Sequence, residues 1–110
     1  MAWYEFGIME HAPGLERFDE YELGRFGCIP VRDDLLDDLL PQLVPLECYW
    51  HTLARPARAL CECGINLIPP QSLPRFLRLL RQAARPELNP LTELLETAAA
   101  RQKFVILYGL

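Results

Sequence analysis

The tightest constraint on this chain is the run Gly64-Ile65-Asn66-Leu67-Ile68-Pro69-Pro70-Gln71-Ser72-Leu73-Pro74, which continues into Arg75-Phe76-Leu77-Arg78-Leu79-Leu80. Ile65, Leu67 and Ile68 suit a short buried strand. Pro69 and Pro70 stop it, since proline offers no ladder N–H and keeps the residue before it extended. A helix is predicted over 73–85, with Ser72 as its N-cap and Pro74 where no intrahelical N–H is lost. Its apolar positions, Leu73, Phe76, Leu77, Leu80, Ala83 and Ala84, share a face, and Arg75, Arg78, Arg81 and Arg85 lie on or near the opposite one. A strand that becomes a helix with so little linker points to a sheet with helices packed on it.

The rest of the chain fits that frame. Residues 2–9 alternate as a strand, with Tyr4, Phe6 and Ile8 on one side and Trp3, Glu5 and Gly7 on the other. Pro13-Gly14 marks a loop over 10–19, and a second strand is predicted over 21–31, bulged at Gly24 and Gly27. Residues 33–43 read as an amphipathic helix with Leu35, Leu36, Leu39, Leu40 and Leu43 as its apolar stripe, interrupted by Pro41. Residues 46–53 favour a strand through Tyr49, Trp50 and Thr52. Residues 55–58 read as a loop or helix start, and 59–63 as a helical turn stopped by Gly64. Pro86 ends the arginine-bearing helix, and another begins with Asn89 as N-cap and Pro90 at the first helical position, burying Leu91, Leu94, Leu95 and Ala98. Phe104-Val105-Ile106-Leu107-Tyr108 is an unbroken apolar run, as in a central strand covered on both faces. The expected fold is α/β (or α+β): one domain over residues 1–110, a small mixed sheet of about 4–5 strands with the C-terminal strand central.

Composition narrows the function classes. With 51% apolar and 24% charged residues the 110-residue chain is globular rather than disordered. The first ten residues lack a basic segment and carry Glu5 and Glu10, which argues against a signal peptide, and no apolar run reaches the ~18 residues of a membrane span. A cytoplasmic location is expected, with Cys28, Cys48, Cys61 and Cys63 as reduced thiols. The net charge of −4 is unevenly spread: residues 1–50 hold eleven acids and three bases, residues 51–110 four acids and eight bases. An acidic half facing a basic half can fold onto itself, pair with a second copy as a homodimer, or hold a charged partner, for which a basic protein is the expectation, and the overall sign argues against general nucleic-acid binding.

Several constellations bear on chemistry. Asp33-Asp34-x-x-Asp37-Asp38 superficially matches a diphosphate–magnesium motif, but the large helical cavity and second acidic motif of such enzymes are missing, so a solvated or partner-binding face is expected. Cys48-x-x-His51 with Cys61-x-Cys63 could supply zinc ligands, yet strand alternation sends Cys48 and His51 to opposite faces, so no metal or other cofactor is expected. Ser72 has no nucleophile elbow around it, and neither His11 nor His51 sits in a catalytic motif, so no catalytic residue is assigned. The arginine helix reads mainly as a solvated face.

The runs 64–73 and Lys103-Phe104-Val105-Ile106-Leu107-Tyr108-Gly109 resemble small bacterial proteins, and the size and acidity are similar to cytoplasmic immunity proteins of polymorphic or contact-dependent toxin systems. That resemblance implies a stoichiometric inhibitor that covers a toxin's active or substrate-binding surface. The expected function is therefore a small protein-binding module, with Asp33, Asp34, Asp37, Asp38 and Glu47 as the partner-binding acids. A homo-oligomeric structural or regulatory protein, or a small metal-dependent enzyme, are the alternatives.

Overall fold

A computed structural model describes residues 2–22, 24–61 and 63–109. The alternating N-terminal segment forms β1 (Trp3–Met9), and the apolar C-terminal run forms β6 (Phe104–Tyr108) directly beside it. Four shorter strands complete the sheet: β2 (Ile29–Arg32), β3 (Cys48–Trp50), β4 (Pro56–Ala57) and β5 (Ile65–Ile68). The order is β2-β1-β6-β5-β3-β4, and every neighbouring pair is antiparallel. The fold is thus mixed α/β: among the described residues, one antiparallel sheet of six strands plus two helices, α1 (Leu73–Ala83) and α2 (Asn89–Ala100). The strand beyond the expected four or five is β4, whose two residues are too few to show a period.

Side-chain alternation assigns two cores. Tyr4, Phe6, Ile68, Val105 and Leu107 meet Leu73, Phe76, Leu77 and Leu80 of α1 and Leu91, Leu95 and Ala98 of α2. On the other face Met9, Ile65, Leu67, Ile106 and Tyr108 are covered by Phe18 and Phe26 from the loop over 10–28. This second cover explains why β6 is apolar at every position: helices bury one half of its side chains and the loop the other. The register gathers Trp3, Arg32, Ile65 and Tyr108 at one end of the sheet and Met9, Phe104 and Ile68 at the other.

Both helices are entered in the same way. Pro70–Ser72 and Pro86–Leu88 are 3-10 turns, each opened by a proline, and each is followed four residues later by a second proline (Pro74, Pro90) in the first turn of the α-helix. Helical backbone therefore starts before the expected caps. Ser72 has φ −91° and ψ −14° and makes no cap bond; its hydroxyl donates to the Glu47 carbonyl at 2.5 Å instead. Asn89 is likewise already helical, with φ −57° and ψ −42°.

Three further expectations are corrected. The strand predicted over 21–31 shrinks to Ile29–Arg32, because Gly24 and Gly27 take φ of +80° and +58° and turn the chain across the sheet. The helix predicted over 33–43 is two 3-10 turns, Asp33–Leu35 and Leu40–Leu43. Leu36, Leu39, Leu40 and Leu43 are still buried, since a three-residue period over so short a span aims the same leucines inward. The turn predicted over 59–63 is not helical in its described residues. Leu23 and Glu62, which fall within the predicted strand and turn, lie outside the described residues.

The sheet ends at both edges on short strands that contain proline: Pro30 within β2 and Pro56 at the start of β4. No helix among the described residues is long and apolar enough to cross a membrane.

Candidate interaction site

The five acids singled out by sequence do not form one surface. Asp33 and Asp34 follow β2 at the Trp3 end, where the Asp33 amide donates to the Ala2 carbonyl at 3.0 Å. Glu47 precedes β3 at the opposite end, beside Ser72. Packing also uses two of the acids. Asp37 accepts a 2.6 Å bond from the Tyr4 hydroxyl. Asp38 takes both Arg85 guanidinium nitrogens, at 2.9 and 2.7 Å, and that bonding holds its carboxyl below the ordinary aspartate value. Arg85 also donates to the Leu35 carbonyl, so it pins residues 33–43 to the end of α1. Asp34 is exposed and 3.3 Å from Arg32, and Asp33 is partly buried; Asp38, though paired, is exposed as well.

The arginine helix is similarly engaged. Arg75 donates to the Pro45 and Val44 carbonyls, and Arg81 pairs with Glu96 at 2.8 Å.

The candidate zinc ligands serve separate parts of the fold. Cys48 lies in the helix-side core, with its thiol against the Ala59 carbonyl at 3.3 Å. His51 leaves the end of β3 with φ of +66° and faces the loop side. Its Nδ1 is 2.8 Å from the Phe18 carbonyl and 3.1 Å from Asp19, and its Nε2 receives the Ile65 N–H at 3.4 Å. This pattern suits the tautomer with hydrogen on Nδ1 and commits both ring nitrogens to fastening the loop onto the sheet. The backbone agrees: the Phe18 N–H donates to the His51 carbonyl at 2.8 Å. Cys61 and Cys63 are exposed.

Burial separates the thiols by reactivity. It pushes Cys28 and Cys48 up to about 11. Little thiolate then forms at either near pH 8, and only the thiolate is alkylated. Iodoacetamide at that pH is expected to modify Cys61 and Cys63 first and to reach Cys28 and Cys48 only after denaturation. Peptide mass spectrometry over a time course checks this, and early labelling of Cys48 would contradict it.

His51 also borders a cleft at the Trp3 end, on the loop side of the sheet. The cleft is about 340 Å³ and is lined by Trp3, Glu5, Asp19, Tyr21, Tyr108 and Gly64 among others. Trp3 and Tyr21 are half exposed, which is unusual for large rings in a chain whose other aromatics are mostly inside. Tyr21 donates to Glu5 at 2.9 Å and meets the Tyr108 ring edge-on at 4.9 Å. Asp19 is held low by its bond to Arg17, with smaller help from His51. Gly64, at φ +80°, closes the cleft: a Cβ there would stand 2.6 Å from the Trp50 indole nitrogen and 3.0 Å from His51 Nε2. Among the described residues, the lining holds two carboxylates and no lysine or arginine.

No sequence pattern marks this cleft. Its residues come from β1, the loop, the turn after β3, the start of β5 and the end of β6, and no spacing rule links segments so far apart. The one local signal is Trp3, a large ring on the strand side opposite Tyr4 and Phe6. Scans against protein-family models, curated proteins and solved structures each return no match.

Proposed function

We propose that the protein is a small cytoplasmic protein-binding module that holds a basic partner at the Trp3 end of its sheet. The observation that carries this is the meeting there of the acids Asp33 and Asp34 with a cleft whose charged lining is acidic and whose walls include half-exposed rings. Exposed aromatic rings are enriched at partner surfaces, and carboxylates beside them complement a basic partner. The resemblance to immunity proteins gives the reading its specific form, a stoichiometric inhibitor that covers a basic surface of a toxin domain. Pairing between copies through the arginine helix is the weaker reading, because Arg75, Arg81 and Arg85 are already engaged within the chain.

The test uses association kinetics with a co-encoded toxin domain. Asp33→Asn with Asp34→Asn should change the melting temperature only slightly, because the one ion pair lost, Asp34 with Arg32, is solvent-screened, and should slow association roughly ten-fold at low salt, since steering by surface charge raises on-rates by about 10–10³. The difference should fade as salt shortens the screening length. Equal on-rates for wild type and variant would refute the role of these two acids. Asp37 and Asp38 do not belong in this variant, because their loss would also loosen the fold.

A further inference from the structure

We infer that the cleft between Trp3 and Tyr21 receives an arginine side chain of that basic partner; the inference rests on the reading above and deepens it. Size sets the first limit. A volume of about 340 Å³ is at the low end for small-ligand pockets, so it suits one side chain rather than a folded element. Charge sets the second. Glu5 supplies the carboxylate oxygens; Asp19 adds negative charge to the lining, but both of its oxygens already bond Arg17, at 3.0 and 3.2 Å. A cation is therefore the complementary guest.

Shape and hydrogen bonding select guanidinium over ammonium. Trp3 and Tyr21 offer ring surface, and a planar guanidinium stacks on rings while donating two parallel bonds to a carboxylate. The chain already stacks guanidinium on rings in two places: Arg55 lies 4.2 Å from the Trp50 ring centre, and Arg25 lies 4.9 Å from that of Phe26. Glu5, already bonded to Tyr21, keeps further acceptor sites for the guest.

The experiment titrates ¹⁵N-labelled protein with the peptide acetyl-Gly-Arg-Gly-amide, with its lysine counterpart and with its neutral citrulline counterpart. The arginine peptide should shift the Trp3 indole N–H and the amides of Glu5, Tyr21 and Gly64. Lysine should bind about two- to five-fold more weakly, the difference expected of stacking at an exposed site, and citrulline should leave those signals in place. Glu5→Gln should weaken the arginine peptide several-fold with the melting temperature unchanged. Tyr21→Phe, which keeps the ring, should bind it within a factor of about two, since cation–π attraction persists. Equal binding of lysine and arginine would overturn the guanidinium assignment. Shifts centred on Asp33 and Asp34 would overturn the cleft while leaving a basic partner in place. If a basic toxin domain is held by wild type and by Glu5→Gln alike, the cleft assignment alone fails; if it is held by neither, the functional reading fails with it.

Discussion

Ile106→Asp is expected to abolish the folded state. Ile106 lies at the middle of β6, paired with Gly7 on one side and Leu67 on the other, and is fully buried. Around it are Met9, Phe18, Ile65, Leu67 and Tyr108, with no base among them. Burying the isoleucine side chain contributes roughly 1.5–3 kcal/mol, which the substitution forfeits. The carboxylate must then stay charged in an apolar site or take up a proton, and either costs further free energy. The sum rivals the roughly 5–15 kcal/mol that holds a whole domain together. Leu15 is the control, because it is completely exposed. Leu15→Asp should change stability by no more than about 0.5 kcal/mol. Thermal melts followed by circular dichroism decide the matter: a cooperative transition for Ile106→Asp near the wild-type temperature would contradict the two-sided burial of β6.

Gly7→Ala carries the second large effect, although it adds one methyl group. Gly7 is on the loop side of β1, and residues 26–28 press against it. A Cβ at this position would lie 2.7 Å from the Cys28 sulfur, 2.8 Å from the Phe26 Cβ and 2.9 Å from the Phe26 carbonyl oxygen. Two of these three atoms belong to Phe26 close to its backbone, so a side-chain rotation cannot relieve the contact. The loop must lift. Overpacking of this kind costs about 1–3 kcal/mol. For a chain of this size that is a fall of roughly 4–15 °C in melting temperature. Lifting the loop also separates Phe26 from Phe18 and Tyr108, whose rings now stand 6.0 and 6.5 Å from it, and exposes the Cys28 thiol. Faster alkylation of Cys28 at pH 8 in Gly7→Ala than in wild type should therefore accompany the lower melting temperature. An unchanged melt with an unchanged labelling rate would mean that the loop is not seated on Gly7.

How far the sequence could be read depended on the length and regularity of each element. β1, β5, β6, α1 and α2 are long or strongly patterned, and their positions follow from alternation, from the apolar stripe and from proline placement. The errors occur where two structures share a pattern. The leucines of 36–43 satisfy a 3.6-residue period and a three-residue period equally well over two turns, so a helix and a pair of 3-10 turns look alike. Tyr21, Ile29 and Val31 alternate as a strand would, but Tyr21 belongs to the loop and only Ile29 and Val31 are paired. Ser72 and Asn89 look like caps because the helix start was inferred from residue type, whereas Pro70 and Pro86 start the helical backbone earlier. The acids were legible as charge but not as partners: that Asp38 meets Arg85, far along the chain, is a tertiary fact. The same holds for His51, whose positive φ and three polar neighbours arise only when the loop closes over the sheet.

The prolines at the two rims of the sheet shape how recognition can evolve. Pro30 and Pro56 remove main-chain donors from edge strands of four and two residues, which leaves little ladder for a visiting strand to join. Any partner would therefore have to read this protein through side chains and not through backbone pairing. Main-chain recognition tolerates sequence drift on both sides, because every residue offers the same N–H and C=O. Side-chain recognition is lost or redirected by single substitutions at the contact. A family built on this scaffold would accordingly diverge fastest in the loop and at the Trp3 end, keep its proline-bearing rims, and split into members that each fit one partner and reject its near relatives.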